Sequence, residues 1–178
     1  MILPIVAYGA AVLRTPGRPV TPATPGLQKL VNDMWHTLEN AGGVGLAAPQ
    51  VNQPLLLFIV DSTAADTGNG IRQAFLNARI LNYSTDTCSD TEGCLSIPGI
   101  WEEVGRACSI TIQYQDEAFN TLTQTYHGST ARMIQHEYDH TQGKLYVDYL
   151  PPLRRRLLQN KLQAISKGKV KSPYPMKR

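Results

Sequence analysis

Leu27, Leu30, Val31, Met34 and Leu38 recur at the three- and four-residue spacing of one helical face, and polar residues fill the positions between them. Thr24 reads as the N-cap of this helix, Pro25 as its first residue, and Gly42 with Gly43 as its stop. The pattern then changes. Leu55 to Val60, Ala74 to Tyr83, Val104 to Gln115 and Thr121 to His127 are rich in β-branched and aromatic residues, which predicts strands, with a hairpin turn at "QDEAFN". Helical spacing returns in "STARMIQHEYDHTQG", whose interior holds no proline or glycine and which Gly128 and Gly143 bound. A third helix is predicted from near Pro152, with Leu153, Leu157, Leu158, Leu162 and Ile165 on a broad apolar face. The final "GKVKSPYPMKR" has no period and reads as an extended end, and "DSTAADTGNG" reads as a surface loop.

Helices separated by antiparallel strands, without βαβ alternation, predict an α+β fold. Antiparallel β-sheets should surround the middle helix, with one helix N-terminal and one C-terminal to them. At 178 residues the chain is long enough for one core and too short for two ordinary domains. Residues 1–150 read as the body, and 151–178 as a basic C-terminal helix and tail. The 42% of hydrophobic residues excludes extended disorder. "MILPIVAYGAAVLR" has no basic stretch ahead of its apolar run, is broken by Pro4 and is too short to span a bilayer, so no membrane partner is expected.

The net charge of +3 is unevenly placed: residues 151–178 carry nine Lys or Arg and no acid, whereas residues 1–150 carry eight against fourteen Asp or Glu. Such a tail is either a solubilising end or a dock for a polyanion such as RNA. No aromatic residue interleaves the basic ones over 153–169, which argues against base stacking and sequence-specific nucleic-acid binding. Cys88, Cys94 and Cys108 are an odd set, so a disulfide framework is not expected, and Cys88 and Cys108 read as small reduced core residues in a cytoplasmic setting.

Candidate chemistry begins at "QHEYDH". His136 and His140 stand one helical turn apart and face the same way, with Glu137 beside them, the arrangement of a zinc-type hydrolase or of a merely solvated helix. A third ligand would decide between the two. "EGCLS" offers one in Cys94, and two imidazoles with one sulfur leave a tetrahedral ion an open position for water. "GGVGLAAPQ" adds glycines that admit close backbone approach and Gln50, a neutral amide donor that would not compete for the ion.

"GVGLAAPQ", "EGCLS" and "QHEYDH", in this order, closely resemble the three signature motifs of the peptide deformylases, and "YGAAVLR" and "GKLYVDYL" extend the likeness across nearly the whole chain. The resemblance implies that residues 1–150 form a catalytic domain that hydrolyses the N-formyl group from the formylmethionine of newly synthesised polypeptides, releasing formate. It assigns Cys94, His136 and His140 as ligands of one divalent metal ion, Fe(2+) by preference, with Zn(2+), Ni(2+) or Co(2+) possible. Metal-bound water would attack the formyl carbon, with Glu137 as general base and then acid. Gln50 and the backbone N–H of Leu95 would stabilise the oxyanion. The substrate would lie against Val44, Gly45, Ser129, Arg132 and Met133, and Glu92 with Arg106 would form an ion pair bracing the Cys94 loop. Family precedent also makes the ribosome a partner through the basic C-terminal helix.

Three positions depart from the family pattern: Trp101 stands where arginine is common, Ser129 where a large apolar residue is usual, and Thr141 where leucine often follows the second histidine. They bear on the shape of the pocket, not on the reaction. Two rival readings remain. An HExxH zinc endopeptidase would take its third ligand downstream of the helix rather than upstream at Cys94. An inactive relative that only binds ribosomes would have no need of Gln50, Cys94, His136, Glu137 and His140 together.

Overall fold

The computed structural model describes residues 1–178. Its elements run β1 (Ile5–Val6), α1 (Leu27–Ala41), β2 (Gly45–Ala47), β3 (Leu57–Asp61), β4 (Arg72–Tyr83), β5 (Thr87–Cys94), β6 (Ile97–Ala107), β7 (Ser109–Gln115), β8 (Thr121–His127), α2 (Gly128–Thr141), α3 (Pro152–Ser166) and β9 (Met176–Lys177). A five-stranded antiparallel sheet has the order β2-β3-β4-β7-β8, β5 and β6 form a separate antiparallel hairpin, and β9 pairs in parallel with β1. This is the expected α+β architecture, with the HExxH helix at its centre.

Strand alternation explains how one sheet serves two layers. Along β3, Leu57 and Ile59 join Val31, Met34 and Leu38 of α1 in one apolar cluster. Phe58 and Val60 point the other way, to Ala131 and Ile134 of α2. All four β3 side chains are fully buried, each worth about 1.5–3 kcal/mol of hydrophobic stabilisation. A third cluster packs Ile97, Ile100 and Val104 of β6 against Leu158, Leu162 and Ile165 of α3. Helix α2 therefore lies between the sheet and the β5–β6 hairpin, which brings its histidines to the hairpin tip.

Several expectations need correction. Thr24 does not cap α1: its hydroxyl accepts the Thr21 N–H at 2.8 Å in the preceding turn, and Gly26, in a left-handed conformation, occupies the N-cap. The apolar face of α3 is narrower than its periodicity suggests, since Leu153 and Leu157 are 71% and 64% exposed. The run Val104 to Gln115 is two strands interrupted at Cys108, and the segment before Cys94, expected as loop, is strand β5. Cys88 and Cys108 are neither reduced nor in the core. They form a disulfide, with Cα atoms 5.2 Å apart, because β5–β6 register sets Cys88 opposite Arg106 and the break after β6 turns Cys108 toward it. Cys94 is the free cysteine.

The tail is extended but tied down. Ile5 N–H donates to Pro175 O at 2.9 Å and Ala7 N–H to Lys177 O at 2.7 Å, so the last residues run alongside the first. No helix is long and apolar enough to cross a membrane.

Candidate metal centre and substrate cleft

Helical geometry and a hairpin tip together build the centre. On α2, His136 and His140 present their rings 5.1 Å apart, and Cys94 at the end of β5 meets them, its Sγ lying 3.3 Å from His140 Nε2. One donor atom from each residue falls within 4.8 Å of the others. Cys94 sits there because the hairpin closes immediately after it, with Cys94 opposite Ile97.

The surroundings orient the donors. Glu92 Oε2 lies 2.8 Å from His136 Nδ1, which holds that ring with its other nitrogen toward the cluster. The same carboxylate accepts from Arg106 Nη2 at 3.1 Å and from Arg132 Nη1 at 2.8 Å. Arg106 also donates from Nη1 to Asp139 at 2.9 Å, and Asp139 accepts from the Tyr149 hydroxyl at 2.7 Å. Glu92, Arg106 and Asp139 are all buried. Burial disfavours the charged form of Glu92, but hydrogen bonds with His136 and Arg106 outweigh it and hold the carboxyl down at about 2.

The two histidines are displaced in opposite senses. Burial and the charge of His136 push His140 well below the usual imidazole range, leaving it neutral. Burial also opposes charge on His136, but Cys94 and Glu92 prevail and raise it well above that range. Cys94, His136 and His140 would hold a divalent cation with the His136 nitrogen that faces the cluster deprotonated.

Glu137, next to His136, is 5% exposed and is not tied into this network; its Oε2 has no hydrogen-bond partner. Burial pushes its carboxyl up to about 7, against the opposing charge of His136. Gln50 reaches in from the short 3₁₀ turn Ala48–Val51 that follows β2. Its Oε1 accepts the Ala47 N–H at 2.9 Å, which fixes the amide so that Nε2 donates to Ser96 Oγ at 3.2 Å and faces Cys94 Sγ at 3.5 Å.

A cleft of about 560 Å³ opens over these groups. Val44, Gly45, Gln50, Glu92, Cys94, Leu95, Ser129, Arg132, Met133, His136 and Glu137 all line it, and His140 sits beneath, 1% exposed. Arg132 is at the wall, but its guanidinium is occupied by Glu92, Val104 O at 2.7 Å and Cys88 O. Sequence reasoning did not single out Asp139, Ser96, Pro173 or Tyr174. Asp139 could have been suspected as a further acid on the histidine helix; Tyr174, remote in sequence and outside any motif, carried no such signal.

The donor set fits a cation. One sulfur and two imidazole nitrogens converge, one histidine is held by a carboxylate, and a buried carboxylate oxygen without a partner lies beside them. Three protein donors rather than four is the mark of a mononuclear metallohydrolase, which keeps one position for the reaction. Residues 2–156 match the polypeptide deformylase family model, and the chain belongs to that family. It is 44% identical to a peptide deformylase of Christiangramia forsetii over 99% of this chain and 96% of that one. It is 41% identical to a peptide deformylase of Salinibacter ruber, over 99% and 94%. Among solved structures, a peptide deformylase from Legionella pneumophila superposes with a TM-score of 0.84 at 35% identity, covering 95% of this chain and 98% of that one. The protein is thus a metal-dependent hydrolase that removes N-formyl groups.

Proposed function

We propose that the cleft receives the formylmethionyl end of a newly made polypeptide and that Glu137 carries the proton through the cleavage. The observation that bears this reading is the buried, unpartnered Glu137 carboxylate oxygen beside the Cys94, His136 and His140 cluster at the floor of an open cleft. A divalent cation held by those three residues supplies Lewis-acid polarisation and makes water acidic enough to yield a proton near neutral pH. Glu137 accepts that proton and returns it to the departing amine nitrogen, so water is added across the C–N bond and formate and a free amine result. Burial raises the Glu137 carboxyl to about 7 in the cation-free cluster, and the charge of a bound cation would draw it back toward the ionised form that accepts the proton. The Gln50 amide and the Leu95 N–H supply the donors for the charge that builds on the formyl oxygen.

The substrate backbone adds to β2. That strand is the end of the five-stranded sheet, and the carbonyl of Val44, the residue just before it, is taken by the Asp61 N–H at 2.8 Å. By strand alternation Gly45 turns its own N–H and C=O to the open edge, where an extended peptide pairs with it. Ser129 and Met133, on the first turns of α2, form the pocket for the first side chain. Arg132 serves by holding Glu92, and the buried Glu92–Arg106 pair braces the hairpin that carries Cys94.

Fe(2+) is the proposed native ion, the mixed sulfur and imidazole set also accepting Zn(2+), Ni(2+) or Co(2+). Metal analysis after anaerobic purification tests this. The ribosome is the proposed partner of the basic segment 151–178. Arg155 and Arg156 are exposed there, Arg155 with only a loose 3.9 Å approach to Asp148, whereas Arg154 is neutralised by Glu102 through two 2.7 Å hydrogen bonds. Reversing Arg155 and Arg156 to Glu should weaken salt-sensitive ribosome co-sedimentation; sedimentation indifferent to both changes would end that idea.

Formate release from formylmethionyl peptides tests the central reading. Glu137→Ala should retain the metal and lose about 10²- to 10⁴-fold in turnover, the usual contribution of a general acid–base group. Near-normal turnover by the metal-loaded variant would overturn the assignment of Glu137.

A further inference from the structure

The C-terminal tail reaches the catalytic turn. Tyr174 lies well beyond residue 156, where the family match ends, yet Tyr174 and Pro173 line the same cleft as Cys94 and Glu137. The Tyr174 hydroxyl donates to the backbone carbonyl of Leu95 at 2.9 Å, and its ring is half-buried against the apolar cluster under α1. The adjoining carbonyl, Ser96 O, accepts the Tyr8 N–H at 2.8 Å. Tyr8 follows β1 after Ala7, whose N–H also bonds the tail at Lys177 O, so the two chain ends, joined to each other, hold both carbonyls of the Leu95–Ser96 turn. On its other side, the Leu95 side chain packs so closely on Gly43 that a Cβ there would lie 2.9 Å from it.

We propose that Tyr174 is a positioning residue for deformylation. It fixes the turn that carries the Leu95 N–H and supplies one wall of the cleft to the substrate's peptide portion. This rests on the oxyanion role proposed above for the Leu95 N–H. Without a clamp on the Leu95 carbonyl, the turn is free to rock, and a donor that must meet the developing charge loses its aim. The phenol suits the task because its ring is anchored by packing while its single hydroxyl is spent on one acceptor.

Three variants test it in the zinc-loaded, full-length protein: Tyr174→Phe, Tyr174→Ala and, as a control for the oxyanion reading, Gln50→Ala. Tyr174→Phe keeps the ring and removes only the hydroxyl. It should lower kcat by about three- to ten-fold, because the Leu95 N–H then meets the developing charge less well, with KM and zinc content unchanged and Tm lowered only by the roughly 2–4 °C that one structural hydrogen bond costs. Backbone amide hydrogen exchange over residues 94–97 should quicken in the same variant, a readout independent of turnover. Tyr174→Ala should also raise KM for formylated tripeptides more than for formylmethionine itself. If Gln50→Ala lowers kcat and Tyr174→Phe leaves both kcat and exchange at wild-type values, the positioning role of Tyr174 is wrong and the oxyanion reading stands. If neither substitution changes kcat, both fall.

Discussion

Gly45 lies directly against the carboxylate of Glu137. A Cβ on Gly45 would stand 2.5 Å from Oε1 and 2.8 Å from the carboxyl carbon, distances that no side chain tolerates. Glycine is needed here for close approach, since β2 must run past the group assigned to carry the proton. Gly45→Ala should displace the carboxylate and reduce kcat by about 10²-fold or more, approaching the loss of the general base itself. Metal content should stay at wild type, because the three atoms nearest the new methyl group all belong to Glu137 and none to a ligand. Wild-type kcat in a metal-replete Gly45→Ala protein would show that Glu137 need not sit where it does.

Glu92 joins the metal site to the fold, being shared by His136, Arg106 and Arg132. Glu92→Gln keeps the shape but removes the charge that fixes the His136 ring. Metal affinity should fall about 10- to 100-fold, as is usual when the partner of a ligating histidine is replaced. Competition with a chromophoric chelator measures this. An unchanged affinity would mean that helix α2 alone positions the ring.

The parts legible in the sequence were those with a local signature. Val31, Met34 and Leu38 declare their helix by spacing, and His136, Glu137 and His140 declare theirs by chemistry. Strand β5 was illegible because "TCSDTEGC" is polar and mostly exposed; its strand state comes from pairing with β6, not from its own pattern. Leu153 and Leu157 misled for the converse reason, since periodicity counts apolar residues but cannot say what covers them. Contacts between distant segments that fall outside the three motifs left no trace. The Cys88–Cys108 bond depends on hairpin register, the Arg106–Asp139 pair on where α2 meets β6, and Tyr174 on the path of a tail without period.

The disulfide should contribute stability without being needed for chemistry. It closes a loop across a sequence separation of 20, for which the chain-entropy model gives about 3 kcal/mol. Cys88→Ser combined with Cys108→Ser should therefore lower Tm, and reductant should lower the wild-type Tm to match. Cys94, His136 and His140 are untouched by the change, so kcat at 25 °C should remain within about two-fold, no transition-state contact being lost. A variant as heat-stable as the oxidised wild type would show that the bond constrains nothing the strands do not already hold.

Asp148 supplies a test of acid stability away from the metal centre. Arg14 Nη2 donates to its Oδ1 at 3.0 Å and the Leu145 N–H to its Oδ2 at 2.9 Å, so one carboxylate ties the N-terminal segment to the turn ahead of α3. Partial burial raises its pKa, but the Arg14 and Leu145 hydrogen bonds prevail and hold it below the ordinary carboxylate range. The sign follows from linkage. The folded state holds on to ionised Asp148 more strongly than the unfolded chain does, so the stabilisation is complete above the unfolded value of about 3.9 and is lost as pH falls through the lower folded value. Asp148 is 28% exposed and solvent screens the pair, which limits the expected cost of Asp148→Asn at pH 7 to about 1 kcal/mol. Urea unfolding at pH 7 and at pH 3 should show the difference between wild type and variant shrinking at the lower pH. A difference that stays constant would assign the effect to packing or to the Leu145 hydrogen bond, and not to the charge.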